Sequence, residues 1–334
     1  MPVPRFARLL AVAVPVLLAG CASGPPPAPT WAIAVHGGAG VLSKNTPPEK
    51  RREYEGALIV ALNHGRTRLA NGDAAIDVVE SVVRILEDDP HFNAGKGAVF
   101  TEKGEHELDA SIMDGATLRC GAVAGVRTVR NPVSLARLVM EKTRHILLAG
   151  EGAEQFAQSQ GVERVENTWF DTEHRKRALD DWLKERGRTG AATAPPAAAT
   201  YGTVGCVVCD SKGNLAAATS TGGMTGKQKG RVGDTPLIGA GNYADGFAAV
   251  SCTGTGEQFM RHVVGRTVSA RMQFGGQTLE QAVKAVVFET LQPDDGGLIA
   301  IDRNGHIVAL FNSEGMYRGM ADSSGRIVVH IFAD

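Results

Sequence analysis

Apolar residues recur along this chain with two periods, one helical and one extended. Across residues 49–71, Tyr54, Leu58, Ala61, Leu62 and Leu69 fall on one side of a 3.6-residue helix, and Gly72 is expected to end it. Asp73 reads as the cap of a second helix, along which Ala75, Val78, Val79, Val82, Val83 and Leu86 form an apolar stripe. Asn131-Pro132 opens a third helix to about His145, and residues 171–186 form a charged amphipathic stretch. Two more helices are expected over 257–274 and 278–291. Strand signals are short apolar or β-branched runs. They cover 31–36, a pair at 203–209 and 215–220 joined by residues 210–214, a second pair at 298–302 and 307–311 turning at Arg303-Asn304-Gly305, and 326–332. Strands and helices come in blocks, not in strict alternation. That favours an α+β arrangement of layered sheets covered by helices. No internal repeat is visible.

Two segments depart from these periods. At the N-terminus, Arg5 and Arg8 precede an apolar run, 9–19, which is too short to span a bilayer and reads as a signal sequence. It leads into Leu18-Ala19-Gly20-Cys21, which resembles a bacterial lipoprotein box. That resemblance implies removal of residues 1–20, lipid attachment at Cys21 and a chain exported to the periplasmic side, anchored without a transmembrane helix. The proline-rich residues 21–30 then read as a stiff tether. An ordinary cleaved signal with an incidental cysteine is the plainer alternative. The second departure is 188–200, rich in Ala, Thr and Pro, without periodicity and almost uncharged. It reads as a flexible linker.

Composition narrows the function without naming it. The 334 residues are 43% hydrophobic and 21% charged, ordinary for a folded chain with ample core. A net charge of -1 leaves no basic surplus for nucleic acid. Forty-one glycines imply tight turns and close backbone approaches. The cysteines besides Cys21 are Cys120, Cys206, Cys209 and Cys252. Cys206 and Cys209 have CxxC spacing, yet on a strand residues three apart face opposite ways, so buried core thiols are expected. The histidines from His64 to His330 show no metal-ligand spacing.

The chemistry concentrates where the linker meets a strand, at Gly202-Thr203. Glycine tolerates a strained peptide there. The Thr203 hydroxyl could attack the preceding carbonyl and break the chain. The freed α-amine, with a pKa of about 8, would then lie within reach of its own hydroxyl and serve as general base. On these residues alone, a loop leading into a strand-opening threonine is the simpler account.

A set of ordered motifs changes that weighting. His36-Gly37-Gly38-Ala39-Gly40, Phe92-Asn93-Ala94-Gly95, Gly202-Thr203-Val204-Gly205, Thr219-Ser220-Thr221-Gly222-Gly223-Met224, Gly230-Arg231-Val232-Gly233-Asp234 and Ser251-Cys252-Thr253-Gly254-Thr255-Gly256-Glu257 follow one another. From about Trp31 to the C-terminus, linker excepted, the chain resembles the plant-type L-asparaginase and isoaspartyl peptidase family of N-terminal nucleophile hydrolases. The resemblance implies a four-layer αββα sandwich. It implies cleavage between Gly202 and Thr203 into an α subunit (residues 31–202 of its folded part) and a β subunit (203–334), and a dimer of such αβ units. Asparagine or β-aspartyl dipeptides would be the substrates and aspartate the product.

The same resemblance implies residue roles, each with a physical reading. Thr203 is the nucleophile, with the Thr221 hydroxyl beside it. Arg231 grips the substrate α-carboxylate, which suits its planar fork of donors, and Asp234 holds the α-ammonium. Thr253 and Gly254 form an oxyanion hole. Gly256 offers a carbonyl to the ammonium, and Asn93 contacts substrate or nucleophile. No cofactor is expected for catalysis. A structural sodium ion is implied, held by main-chain carbonyls of Leu86, Glu87, Asp89, Phe92, Ala94 and Lys96. The His36 loop lacks the ending of a phosphate loop and is expected to pack behind the site. Plainer readings stand beside these: a strand-end threonine for Thr221, a surface ion pair for Arg231 and Asp234, a helix start before Glu257. A glycosylasparaginase and an uncut amino-acid-binding lipoprotein are the rival functions.

Overall fold

A computed structural model describes residues 1–2, 30–40, 43–189 and 202–333. Almost all of the expected signal, the lipidation residue Cys21, almost all of the tether and most of the linker lie outside the described residues.

The strands are β1 (Ala32–Ala39), β2 (Leu108–Asp114), β3 (Cys120–Val126), β4 (Leu147–Ala149), β5 (Val204–Cys209), β6 (Leu215–Thr221), β7 (Asn242–Ala244), β8 (Ala248–Gly254), β9 (Gly296–Asp302), β10 (Ile307–Phe311), β11 (Met316–Asp322) and β12 (Ile327–His330). The α-helices are α1 (Pro48–Ala70), α2 (Ala75–Asp88), α3 (Pro132–Lys142), α4 (Gly150–Ser159), α5 (Glu173–Thr189), α6 (Gly256–His262), α7 (Val264–Gly275) and α8 (Leu279–Ala285). Eight strands pair in the order β12-β11-β1-β5-β6-β2-β3-β4 and four in the order β10-β9-β8-β7. Among the described strands only β3 and β4 pair in parallel.

Three apolar clusters separate four layers, the αββα sandwich that the resemblance implies. In the first, α1, α2 and α3 cover one face of the large sheet with Leu58, Leu62, Val79 and Val83 against Ile33, Val35 and Cys206. In the second, the two sheets meet through Ala32, Ala34, Val207 and Ala217 on one side and Ala249 and Ile299 on the other. In the third, α7 and α8 cover the small sheet through Val268, Val283, Val250 and Leu298. Strands covered on both faces read as continuous apolar runs, and every residue of β1, β5 and β6 is buried. Cys206 belongs to the helix-facing core and Cys209 to the inter-sheet core, with both thiols free, as the strand geometry requires.

Several boundaries differ from the sequence reading. Asp73 does not cap α2; its carboxylate pairs with Arg68. The helix start is satisfied from a distant loop, where Asp210 Oδ2 accepts the Ala75 N–H at 3.2 Å. The expected helix over 257–274 breaks at Val263, which takes a left-handed conformation at φ 46°. The helix before the linker continues to Thr189, so residues 188 and 189, read as linker, are helical. Strands β2, β3, β4, β7, β8 and β11 and helix α4 carried no signal in the pattern: β2, β3, β8 and β11 mix glycine, aspartate or serine into buried runs, β4 and β7 are three residues long, and α4 buries only Ala153 and Ala157.

Candidate active site

The central strands β5 and β6 set the site. Val204 pairs with Ser220 and Gly205 with Thr219, so one step further Thr203 meets Thr221 at the strand ends. Their hydroxyls lie 3.0 Å apart in a buried setting. Thr221 Oγ1 also accepts the Gly223 N–H at 3.0 Å, which turns the chain immediately after β6.

Behind Thr203 a line of polar groups crosses the sandwich. His36 Nδ1 sits 2.9 Å from the Thr203 carbonyl oxygen and Nε2 sits 2.8 Å from Ser251 Oγ. A carbonyl only accepts, so Nδ1 carries the proton and Nε2 accepts from the Ser251 hydroxyl. Ser251 Oγ is 2.7 Å from Thr219 Oγ1. Burial pushes the His36 imidazole down to about 3, against the Thr203 bond that favours its proton, so the ring is neutral at working pH. The motif's glycines make room for this. A Cβ on Gly205 would stand 1.9 Å from Ser251 Oγ, and one on Gly38 would stand 2.3 Å from the Gly202 Cα. The His36 loop therefore packs behind the site, and His36 itself holds the nucleophile's own carbonyl.

On the N-terminal side of Thr203, the Gly202 carbonyl accepts the Asn93 N–H at 3.0 Å. Asn93 is fixed in turn. Its Nδ2 donates to Gly223 O at 2.6 Å and its Oδ1 accepts the Val99 N–H at 2.9 Å. The sequence expectation placed Asn93 at the nucleophile; its contact there is made by main chain, and its amide is occupied by structure.

On the other side opens a cleft lined by Thr203, Thr221, Gly223, Arg231, Asp234 and Gly254. Thr253 lies at the end of β8 next to Gly254, and its Oγ1 accepts the Ala39 N–H at 3.2 Å, leaving its own proton to donate elsewhere. Gly256, the first residue of α6, lies against both charges: a Cβ there would be 2.9 Å from Asp234 Oδ1 and 3.1 Å from Arg231 Nη2. Arg231 and Asp234 thus line one cleft with Thr203, Thr221 and Gly254, Gly256 packs against both charges, and Thr253 and Asn93 are not among the lining residues.

The electrostatics of the two charges differ. Arg231 is held in a two-pronged bond by Glu257, with Nε to Oε1 at 2.9 Å and Nη2 to Oε2 at 2.8 Å. This pair escaped the sequence reading, which treated Glu257 as a helix start; a carboxylate aimed back from the first turn of α6 is visible only in three dimensions. Asp234 is buried, and its Oδ2 has no hydrogen-bond partner. Burial raises its carboxyl to about 7, the nearby Arg231 only partly offsetting it. An orphaned buried carboxylate beside a guanidinium already paired with another acid is suited to receive a cation. Behind the pair lies buried Lys227, whose Nζ donates to Glu107 O at 2.7 Å and whose charge faces Asp109. It too was missed, since one lysine in a polar loop carries no spacing signal.

The loop after α2, expected to supply main-chain oxygens to an ion, folds closely upon itself. A Cβ on Gly95 would stand 2.2 Å from Glu87 O, and one on Gly97 would stand 2.1 Å from Phe92 O and 2.6 Å from Pro90 O. The Ala94 carbonyl accepts the Gly97 N–H at 3.2 Å. The Asp89 carboxylate turns to His91 and the Lys96 ammonium to Trp169, so neither side chain enters the loop. Leu86 is buried in the helix-facing core. Among the described residues no cluster of His, Cys, Asp and Glu could hold a metal.

Comparison with known proteins agrees with the motif reading. The family model described as asparaginase matches residues 29–331. The probable isoaspartyl peptidase/L-asparaginase 2 of Arabidopsis thaliana is 48% identical over 322 residues, covering 90% of this chain and 99% of that protein. The isoaspartyl peptidase of Salmonella typhimurium is 51% identical over 295 residues, covering 86% and 93%. The isoaspartyl peptidase/L-asparaginase of Homo sapiens is 43% identical over 288 residues, covering 85% and 91%.

Proposed function

The chain belongs to the asparaginase family, and from that premise we propose that it is a self-cleaving threonine amide hydrolase acting on β-aspartyl dipeptides and L-asparagine. The observation that carries this reading is the 3.0 Å contact between the Thr203 and Thr221 hydroxyls, with the Gly202 carbonyl on one side and the Arg231–Asp234 cleft on the other.

Maturation comes first. Thr203 Oγ attacks the Gly202 carbonyl carbon, and the charge growing on the carbonyl oxygen meets the Asn93 N–H. The carbon–nitrogen bond breaks as the hydroxyl proton passes to the amide nitrogen, leaving an ester on Oγ and a free α-amine. Water then releases the α subunit ending at Gly202. In the mature site the neutral amine takes the proton from Oγ as the oxygen attacks the substrate's side-chain carbonyl. The Thr253 hydroxyl and the Gly254 N–H receive the oxyanion. The amine returns the proton to the leaving nitrogen, and a second water frees aspartate from Thr203. Asp234 and the Gly256 carbonyl take the substrate ammonium. Arg231, braced by Glu257, presents its remaining donors to the α-carboxylate.

Main-chain oxygens of Leu86, Glu87, Asp89, Phe92, Ala94 and Lys96 would hold a hard monovalent cation such as sodium, which would stiffen the turn that carries Asn93. Cys21 carries the lipid of an exported, membrane-anchored protein. The mature form is a dimer of αβ units.

Intact-mass measurement of purified protein tests this. Two chains parted between Gly202 and Thr203, with added lipid mass on Cys21, are expected. An uncut chain that still hydrolyses asparagine would defeat the assignment. Assays with asparagine, a β-aspartyl dipeptide and glycosylated asparagine rank the substrates; preference for the last would make the protein a glycosylasparaginase.

A further inference from the structure

Arg231, Lys227 and Arg175 lie at or beside this site, and the first two have acids. Arg231 has Glu257, and Lys227 faces Asp109 and Glu107. The third is Arg175, near the start of α5 and 5% exposed. Its Nε–H donates to the Gly97 carbonyl at 2.8 Å. Its Nη2 would lie 3.5 Å from a Cβ on Gly202. Among the described residues no carboxylate lies within ion-pair distance of it. The groups that favour its charge are the phenols of Tyr54 and Tyr317, and burial pushes the guanidinium down to about 10. A buried charge without an opposite charge is costly.

Breaking the Gly202–Thr203 bond supplies that opposite charge. Before cleavage Gly202 ends in a neutral amide carbonyl. The acyl shift replaces its bond to nitrogen with a bond to Thr203 Oγ and moves the hydroxyl proton to the nitrogen. Water then adds to the ester carbon, the bond to Oγ breaks, Oγ keeps one proton, and Gly202 leaves as a carboxylate while the new amine takes up the released proton. No other reactant is needed. We propose that Arg175 is the counter-charge for the carboxylate that Gly202 gains on self-cleavage, and so serves maturation and not substrate hydrolysis. This rests on the self-cleavage reading above. Two features make the placement apt. The guanidinium lies on the Gly202 side of Thr203, away from Arg231 and Asp234. Its Nε is tied to Gly97, in the same turn whose Asn93 N–H holds the Gly202 oxygen. The cation therefore favours the step in which negative charge is delivered to Gly202, and opposes the return of the carboxylate onto Thr203.

The test is a time course of cleavage in freshly translated full-length chain, read on denaturing gels, for wild type, Arg175→Lys, Arg175→Gln and Thr203→Ala. Arg175→Gln is expected to split at least about tenfold more slowly than wild type. Arg175→Lys, which keeps the charge, should stay within about threefold. Activity per molecule of split chain should stay within about twofold for both. Arg175→Gln splitting at the wild-type rate overturns the proposal. So does Arg175→Lys as slow as Arg175→Gln when both melt like wild type. Should the glutamine chain not melt cooperatively, the lysine chain decides alone, and a tenfold slowing there overturns it. A wild-type chain that never splits would instead remove the self-cleavage reading beneath it, an outcome separate from any effect of Arg175.

Discussion

The two sides of Thr203 are built from different materials. Behind Thr203 the partners are neutral, the uncharged His36 ring with the Ser251 and Thr219 hydroxyls, and toward Gly202 they are the Asn93 N–H and one cation without an acid, Arg175. Toward the cleft they are charged: Arg231 braced by Glu257, and Asp234 with an unsatisfied oxygen. The difference follows from what each side must hold. The scissile peptide is delivered by the chain itself, so orientation by short hydrogen bonds suffices. A free zwitterionic amino acid must be captured from water, and that takes full charges in a desolvated cleft.

The sharpest way to break the comparison is to remove the atom both sides share. Thr203→Ala is expected to remain one chain on denaturing gels and to lose activity by a factor on the order of 10⁴ or more. A mutant that still splits would place the nucleophile elsewhere. Next, Arg231→Ala should split at close to the wild-type rate yet lose about 10²–10³ in kcat/KM, as loss of a charged partner costs about 2–4 kcal/mol. Equal damage to both steps would mean the two sides are not separable.

Asp234 gives a pH test of intermediate size. Its folded-state carboxyl titrates at about 7, above its ordinary 3.8. Capture of an ammonium needs the ionised form, so kcat/KM should rise with pH through about 7, on top of the amine's ionisation at about 8. The lower ionisation should vanish in Asp234→Asn while the amine's remains. The sign for stability is opposite. Between about pH 4 and 7 the folded chain keeps a proton that the unfolded chain has lost, so this residue makes folding less favourable as pH rises through that window. Urea melts of wild type and Asp234→Asn across that range should show it. His36 works the other way: with its folded value at about 3, it withdraws stability as pH falls below about 6.5.

The smallest effect sharpens the neutral side. Ser251→Ala leaves His36 Nε2 buried without a donor, which costs about 1–3 kcal/mol. A melting temperature lowered by several degrees is expected, with kcat/KM changed less than about tenfold. A loss as large as that of Arg231→Ala would make the hydroxyl line part of the charged machinery.

Much of this molecule was readable before any coordinates. The long helices α1 and α2 announced themselves because one apolar stripe must face the large sheet. Strands β5 and β6 did so because both their faces are covered. The cleft residues Thr203, Thr221, Arg231, Asp234 and Gly254 were legible through the order of their motifs. What stayed hidden has a common character. Strands β2 and β11 carry Asp109 and Arg318 inside, so their polarity masked their burial. Glu257, Lys227, His36 with Ser251, and Arg175 act across 26 or more positions of chain or from a neighbouring element, and no spacing encodes that.

Sequence alone therefore determined the elements with one apolar face, the glycines that permit close approach, and the candidate nucleophile, because those depend on local periodicity and on side-chain chemistry. Tertiary structure alone decided which acid meets which base. It gave Arg231 to Glu257, left Asp234 open, moved the cap of α2 from Asp73 to Asp210, and set Arg175 beside Gly202. Charge pairing falls off over a few ångströms in space and is indifferent to distance along the chain.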